Sequence, residues 1–209
     1  MPRGRSSTFD DQRDTILARA AELFAARGYP GTSMNEVAAA CGVSKPALYH
    51  YVRDKHELLV QICAAHIDRL LTLVEEVQAE PLDAEARLRA LILRFVETYA
   101  DAQHEHRVLT EDVKFLDPAA AERILDGERR VVAAFAAAVA AVRPDTAASA
   151  LHKPLAMLLF GMINWMFTWL QPGGRYDHAA MAPVVADLFF GGIAAVRDPA
   201  AGAATAPPG

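Results

Sequence analysis

The chain reads as an all-α protein of about nine helices, a small N-terminal helical domain followed by a larger one. Three observations predict this. Apolar residues recur at i, i+3, i+4 and i+7 in the segments between breakers, and no segment of useful length alternates with the period of a strand. Apolar residues make up 53% of the 209, alanine prominent among them, which excludes a disordered chain and favours packed helices. Cap and stop residues punctuate the chain at helix-length intervals. At this length a sizeable core is available to one large domain or to a small and a larger one.

Residues 1–8 form a polar leader carrying Arg3 and Arg5 and are expected to be a flexible arm. A first helix spans Phe9 to Arg27, with Ile16, Ala20, Leu23 and Phe24 on one stripe, and Gly28 ends it. Tyr29-Pro30-Gly31 is a turn. Ser33 N-caps the next helix with Glu36 three residues on, the capping-box spacing, and Met34, Val37 and Ala38 share a face. Gly42 supplies the C′ position that stops this short helix, with Val43 packing beneath. Ser44 caps a second short helix whose inner face is Ala47, Leu48 and Tyr51. Two short helices joined by a Gly-containing turn form the helix-turn-helix unit, which places its second helix in the major groove.

Asp54 with Glu57 repeats the capping-box spacing and starts a long helix through Leu58, Leu59, Ile62, Ile67, Leu70, Leu71 and Val74 to Ala79. Pro81 breaks it. Asp83 caps a helix with Leu88, Leu91, Ile92, Phe95, Val96 and Tyr99 on one face, and a shorter helix is expected around Arg107–Phe115. Asp117-Pro118 is an N-cap followed by an N1 proline, opening a helix that runs through Ile124, Val131, Phe135 and Val139 until Arg143-Pro144-Asp145. A strongly apolar helix follows, kinked at Pro154 and ending at Leu170; Gln171-Pro172-Gly173-Gly174 is a turn. Asp177 caps a last helix carrying Val184, Leu188, Ile193 and Val196, and the Ala/Pro/Gly tail 198–209 reads as disordered. The domains expected are therefore 9–58 for the helix-turn-helix and 59–197 for the remainder.

Net charge is −5, so no global basic field draws nucleic acid. Residues 1–60 nevertheless hold eight Lys/Arg against seven Asp/Glu, and Lys45, His50, Arg53, Lys55 and His56 cluster around the second short helix. A local basic patch on an acidic chain suits specific binding better than indiscriminate binding. Cys41 and Cys63, far apart and outside any CxxC, fit a reduced cytoplasmic compartment as small buried apolar residues. The basic start lacks the apolar region of a signal peptide, and the run Leu155–Leu170 is short of a membrane span, so no membrane association is expected.

The residues Gly28-Tyr29, Gly31-Thr32-Ser33, Ala40 to Lys45, Leu48-Tyr49-His50-Tyr51 and Lys55-His56-Glu57-Leu58 stand in an order that resembles the TetR family of bacterial repressors. Val52 replaces the usual Phe, and Pro46 replaces a small residue at a first-turn position where proline is tolerated. The chemistry of the residues agrees with the resemblance. Ser44 caps a helix whose exposed N-terminal half faces base edges, where Lys45 donates to guanine or phosphate and Pro46 or Ala47 meets a thymine methyl. Tyr49 and His50 offer further hydrogen bonds. Thr32 and Ser33 place hydroxyl and N–H groups at a helix start, and Lys55 adds charge at a second one, both suited to phosphate. Tyr51, sharing the face of Leu48, belongs to the core.

The resemblance further implies that the larger domain binds a small-molecule effector and forms a homodimer through the last two long helices. Such a dimer presents two recognition helices to a pseudo-palindromic double-stranded operator. Independently, Met157 to Trp169 are bulky on all sides, so one face packs inward and another against a partner. Phe95, Tyr99, Phe115, Asn164, Trp165 and Trp169 are the candidate pocket residues, Asn164 because a buried amide needs partners. The stretch Gly161 to Gly174 also resembles TetR-like repressors of fatty-acid, steroid or phenylacetate breakdown, which implies an acyl-CoA or other hydrophobic effector, with Arg107, Arg129, Arg130 and Arg175 as candidate partners for its phosphates.

Other chemistry is thin. His104-Glu105-His106 lacks the i, i+4 spacing that sets two imidazoles on one helix face, and no metal, catalytic cofactor or nucleophile constellation is expected. The expected function is a ligand-responsive repressor, not an enzyme. The rival reading is a DNA-binding dimer without an effector, whose second domain serves only dimerisation or protein docking.

Overall fold

A computed structural model describes residues 7–170 and 174–197. Ten α-helices occur there: α1 (Ser7–Arg27), α2 (Met34–Ala40), α3 (Lys45–Leu48), α4 (Lys55–Ala79), α5 (Ala84–Asp101), α6 (Gln103–Asp112), α7 (Pro118–Val142), α8 (Pro144–Ala148), α9 (His152–Trp165) and α10 (His178–Ile193). Two 3₁₀ turns, Val113–Phe115 and Met166–Thr168, complete them, and the described residues contain no strand. Most of the arm at 1–8, the turn at 171–173 and the tail at 198–209 lie outside the described residues.

Local capping chemistry sets the helix starts. Asp83 Oδ1 accepts the Ala86 amide at 2.8 Å, Asp117 Oδ1 that of Ala120 at 2.9 Å, and Asp177 Oδ1 that of Ala180 at 2.8 Å. Three boundaries differ from expectation. α6 begins at Gln103 and tightens into the 3₁₀ turn ending at Phe115. Arg143-Pro144 stops one helix and at once starts another, α8, because a proline at N1 needs no intrahelical N–H. Arg143 also donates to the Ile193 and Val196 carbonyls at the end of α10. Pro154 causes no kink of the expected kind, because α9 starts at His152 and the proline falls in its first turn. α9 gives way to the 3₁₀ turn at Met166 rather than running to Leu170.

The chain forms two compact units, residues 1–69 with 102–127 and residues 70–101 with 128–209. This partition departs from the linear division at 58/59: the first unit keeps α4 to Arg69 and takes back 102–127, because α6 lies along α1. The core of the first unit includes Ile16, Phe24, Leu48, Leu58, Leu59 and Ile62. The second unit centres on Phe95, Phe135 and Phe160, with ring centroids 4.7 Å apart for Phe95–Phe135 and for Phe135–Phe160. There α10 packs along α5, where the Arg89 guanidinium bonds Asp187 Oδ1 at 2.8 Å and covers the Phe190 ring. No helix among the described residues is long and apolar enough to cross a membrane.

Within the first unit, His66 on α4 and His106 on α6 are buried and share a hydrogen bond, Nε2···Nδ1 3.4 Å. One ring donates and the other accepts, so the bond requires a neutral accepting ring and is lost when both rings are protonated. Burial, then the neighbouring His106 and Arg69 charges, pushes His66 down to about 3; burial pushes His106 down to about 4. Both values are depressed below the 6.5 of a free imidazole, so the unfolded chain takes up these protons first. The pair's contribution is complete above pH 6.5 and is lost as pH falls towards the folded values, by up to about 1.4 kcal/mol per pH unit for each histidine. We therefore expect unfolding free energy to drop between pH 6.5 and 5, and His106→Leu to flatten that slope by about one proton. Parallel slopes for the two proteins in chemical denaturation would contradict it.

Candidate nucleic-acid interface

The first unit builds its exposed face from the α2-turn-α3 segment. Ser33 and Glu36 form a complete capping box: Ser33 Oγ accepts the Glu36 amide at 3.3 Å and the Ser33 amide donates to Glu36 Oε2 at 2.8 Å. α2 closes with a Schellman turn, the Val43 amide on the Ala38 carbonyl at 3.0 Å and the Gly42 amide on the Ala39 carbonyl at 3.1 Å. Gly42 has φ +65°, the left-handed conformation that makes glycine the fitting residue there. Ser44 Oγ then accepts the Ala47 amide at 3.3 Å and starts α3.

α3 is anchored from beneath by Leu48, which is fully buried, and by the buried Val52. Tyr51 stacks on Phe9 of α1, with centroids 4.7 Å apart, so the second tyrosine belongs to the packing as its spacing implied. The opposite face is open. Ser44, Lys45, Pro46, Tyr49 and His50 are exposed and Ala47 is half-buried; Tyr49 shows 44% of its surface despite its size. Lys45, Tyr49 and His50 have no side-chain partner among the described residues. Two donors, an imidazole and a small apolar surface thus share one face of a capped helix, the composition needed to read base edges and phosphates.

Three residues expected at phosphates also bond within the chain. Thr32 is 2% exposed, and its hydroxyl donates to the Gly28 carbonyl at 3.1 Å, closing the end of α1. The Ser33 amide and hydroxyl both serve Glu36 Oε2, and these hydrogen bonds hold the Glu36 carboxyl below the usual range. An anionic carboxylate at the start of α2 disfavours a phosphate there. Lys55 Nζ donates to the Tyr29 and Thr32 carbonyls, each at 2.9 Å, and lies 4.4 Å from the centroid of the Tyr29 ring.

The second capping box also differs in register. Asp54 Oδ1 accepts the Glu57 amide at 2.8 Å, but Glu57 reaches back to the Arg53 amide at 2.6 Å, one residue earlier than in a reciprocal box. Glu57 also binds Gln61, which holds Arg13 of α1, so the exit from α3 is tied to the first helix. His56 Nε2 accepts the Asp117 amide at 3.2 Å, which joins α4 to the start of α7.

The candidate pocket residues are scattered. Phe95 and Tyr99 are buried in the second unit, where burial and the Glu128 charge raise the Tyr99 hydroxyl. Asn164 is half-buried and its Oδ1, enclosed, makes no hydrogen bond among the described residues, so the amide retains the unmet need inferred from its position. Trp165 and Trp169 point outward and are 67% and 51% exposed. Phe115 belongs to the first unit, stacked on Tyr29 with centroids 5.5 Å apart. Tyr29 itself and Asp112, which accepts the Tyr29 amide, were not singled out as site residues. The Gly-Tyr-Pro-Gly spelling of the turn was the available signal for the first; none marked the second.

Residues 16–62 match the family described as bacterial regulatory proteins, tetR family, and residues 81–193 match the tetracyclin repressor-like C-terminal domain. The HTH-type transcriptional repressor KstR2 of Rhodococcus jostii is 28% identical over 200 residues, 92% of this chain and 96% of its own. The HTH-type transcriptional activator FasR of Mycolicibacterium smegmatis is 31% identical over 122 residues, 58% of this chain but only 56% of its own length. The crystal structure of AibR in complex with isovaleryl coenzyme A and operator DNA superposes with a TM-score of 0.72 at 26% identity, covering 85% of this chain and 97% of that one.

Proposed function

The chain belongs to the TetR family of transcriptional regulators, and we propose that it is a homodimeric repressor released from a pseudo-palindromic operator by an acyl-CoA effector. The observation that carries the DNA-binding half is the open face of α3, where Lys45, Tyr49 and His50 stand free above the buried Leu48. A repressor rather than an activator is favoured because KstR2 aligns over nearly its whole length, whereas FasR aligns over little more than half. Dimerisation is supported by a second exposed feature, the apolar strip on α9 and α10, and two copies match the two-fold symmetry of a palindromic site.

The effector class rests on AibR, which binds isovaleryl coenzyme A, and on the aromatic interior of the second unit, where the Asn164 carbonyl oxygen awaits a donor. No catalytic role is proposed. The test is a thermal-shift and operator-release series with isovaleryl-CoA, longer acyl-CoAs, free coenzyme A and the free acids. A ligand at a hundred times its Kd adds about 2.7 kcal/mol, which for a chain of this size raises Tm by roughly 5–10 °C. Acyl-CoAs should give that shift and release DNA, while coenzyme A and the acids give little. Silence from every acyl-CoA beside a response to another class would remove the acyl-CoA reading. Silence from all would favour a second unit that only dimerises.

A further inference from the structure

We propose that Glu128 and Asn164 set effector specificity as two interior hydrogen-bond acceptors, and that the effector they select carries a hydroxyl on its acyl chain. This deepens the effector reading above and rests on it.

The second unit pairs an aromatic floor with a polar edge. Phe95 of α5, Phe135 of α7 and Phe160 of α9 are buried together, with ring centroids 4.7 Å apart for Phe95–Phe135 and Phe135–Phe160 and 6.2 Å for Phe95–Phe160. Phe135 sits two turns before the end of α7 and Phe160 two turns after the start of α9, so these helices run antiparallel. The chain leaves this unit at Asp101 and re-enters it at Glu128, which sets the end of α5 beside the early part of α7. Helical spacing then places Tyr99 one turn beyond Phe95, Asn164 one turn beyond Phe160 and Glu128 two turns before Phe135, all on one side of the rings. Each polar residue interrupts an apolar stripe: Val131, Phe135 and Val139 are buried on α7, and Ala156, Phe160 and Ile163 on α9.

The chain supplies neither acceptor with a donor. Asn164 Oδ1 is enclosed and makes no hydrogen bond among the described residues. Glu128 is half-buried, and burial pushes its carboxyl up with no cation or donor to offset it. Burial and then the Glu128 charge raise the Tyr99 hydroxyl, which ties Glu128 to the same end of the floor. An enclosed acceptor without a donor costs stability, so two of them beside a packed aromatic cluster suit a ligand that brings the donor. A phosphate or free carboxylate would be repelled by Glu128, and a plain alkyl chain would leave both oxygens unmet. A hydroxyl donates without adding charge, and on an acyl chain it can lie against the rings.

The test uses the full-length dimer and three thioesters of one chain length: octanoyl-CoA, β-hydroxyoctanoyl-CoA and ω-hydroxyoctanoyl-CoA. In calorimetry at least one hydroxy ester should bind about tenfold or more tightly than octanoyl-CoA. Glu128→Leu and Asn164→Leu should each bring that ratio close to one by weakening the hydroxy ester. Their Tm without ligand should stay level or rise, because no partner is lost. Glu128→Gln, which keeps an acceptor but not the charge, should fold as the parent does and hold part of the preference. Equal affinity of the parent protein for the three thioesters would assign any donor to the coenzyme A portion and overturn the proposal. A preference that survives both leucine variants overturns it too, as does a fall in Tm showing that the two side chains hold the fold. Tighter binding of octylamine than of either hydroxy ester would make Glu128 a counter-ion for a cation, with the same consequence. If no thioester binds, the acyl-CoA reading fails by itself, and methyl octanoate against methyl ω-hydroxyoctanoate decides the pair. A preference for the hydroxy ester then keeps their selective role, and its absence removes it.

Discussion

Leu158→Arg combined with Leu188→Arg is expected to leave the chain folded but monomeric at micromolar concentration, and to abolish operator binding. Both leucines lie on the surface of a single chain, 67% and 64% exposed, so neither substitution removes core packing. They belong to a set of side chains on the last two helices: Met157, Leu158 and Trp165 on α9 and Trp169 just beyond, with Val184 and Leu188 on α10, all large, apolar and exposed. Gly161, Gly191 and Gly192 sit among them, and a Cβ at any of the three would meet nothing within 4 Å, so nothing in the chain itself calls for glycine. Bare backbone on an apolar strip does suit close approach by a second helix pair. Monomers rarely leave such a patch uncovered.

In a two-fold interface every substitution appears twice. Each new arginine would be buried without a partner, at several kcal/mol apiece. A shift of about 4 kcal/mol corresponds to roughly a thousandfold weaker association. Sedimentation or light scattering reads the mass directly, and a retained dimer at 1 μM would refute the assignment of this strip.

The strip was legible because a helix apolar on every side has to be covered on every side, a property of α9 alone. The caps were legible for a similar reason: Ser33, Ser44, Asp83, Asp117 and Asp177 act on amides three residues away, inside the window that spelling resolves. The readings that changed depend on partners far along the chain. Lys55 meets carbonyls 26 and 23 residues before it, and Phe115, which composition placed among pocket aromatics, stacks on a tyrosine 86 positions earlier in the numbering of the chain. The Thr32 hydroxyl lies against two carbonyls near the end of α1, those of Gly28 and Leu23, a contact that spelling alone does not show. Long-range contacts also drew α6 into the first unit, where chain order had placed it in the second.

Lys45→Ala and Tyr49→Ala are each expected to weaken operator binding by roughly 30- to 10⁴-fold, since a base-edge or phosphate contact carries about 1–3 kcal/mol and the dimer loses it twice. Stability should be nearly untouched, because exposed residues without partners change folding free energy by at most about 0.5 kcal/mol. The two substitutions also report different things. If Lys45 neutralises a phosphate, its removal makes the salt dependence shallower by about 1.8 per dimer and weakens all sequences alike. If it donates to a guanine, discrimination at that base pair relaxes instead. Tyr49 offers a hydroxyl rather than a cation, so its loss should leave the salt slope alone whichever group it touches. Unchanged operator affinity in both variants, with wild-type mass and Tm, would mean that the open face of α3 is not the surface that meets DNA. Weakened binding accompanied by a lower Tm would mean that the residues act through the fold. Only weaker binding by an intact dimer identifies α3 as the reading helix, and the two salt slopes then divide its contacts between backbone and base.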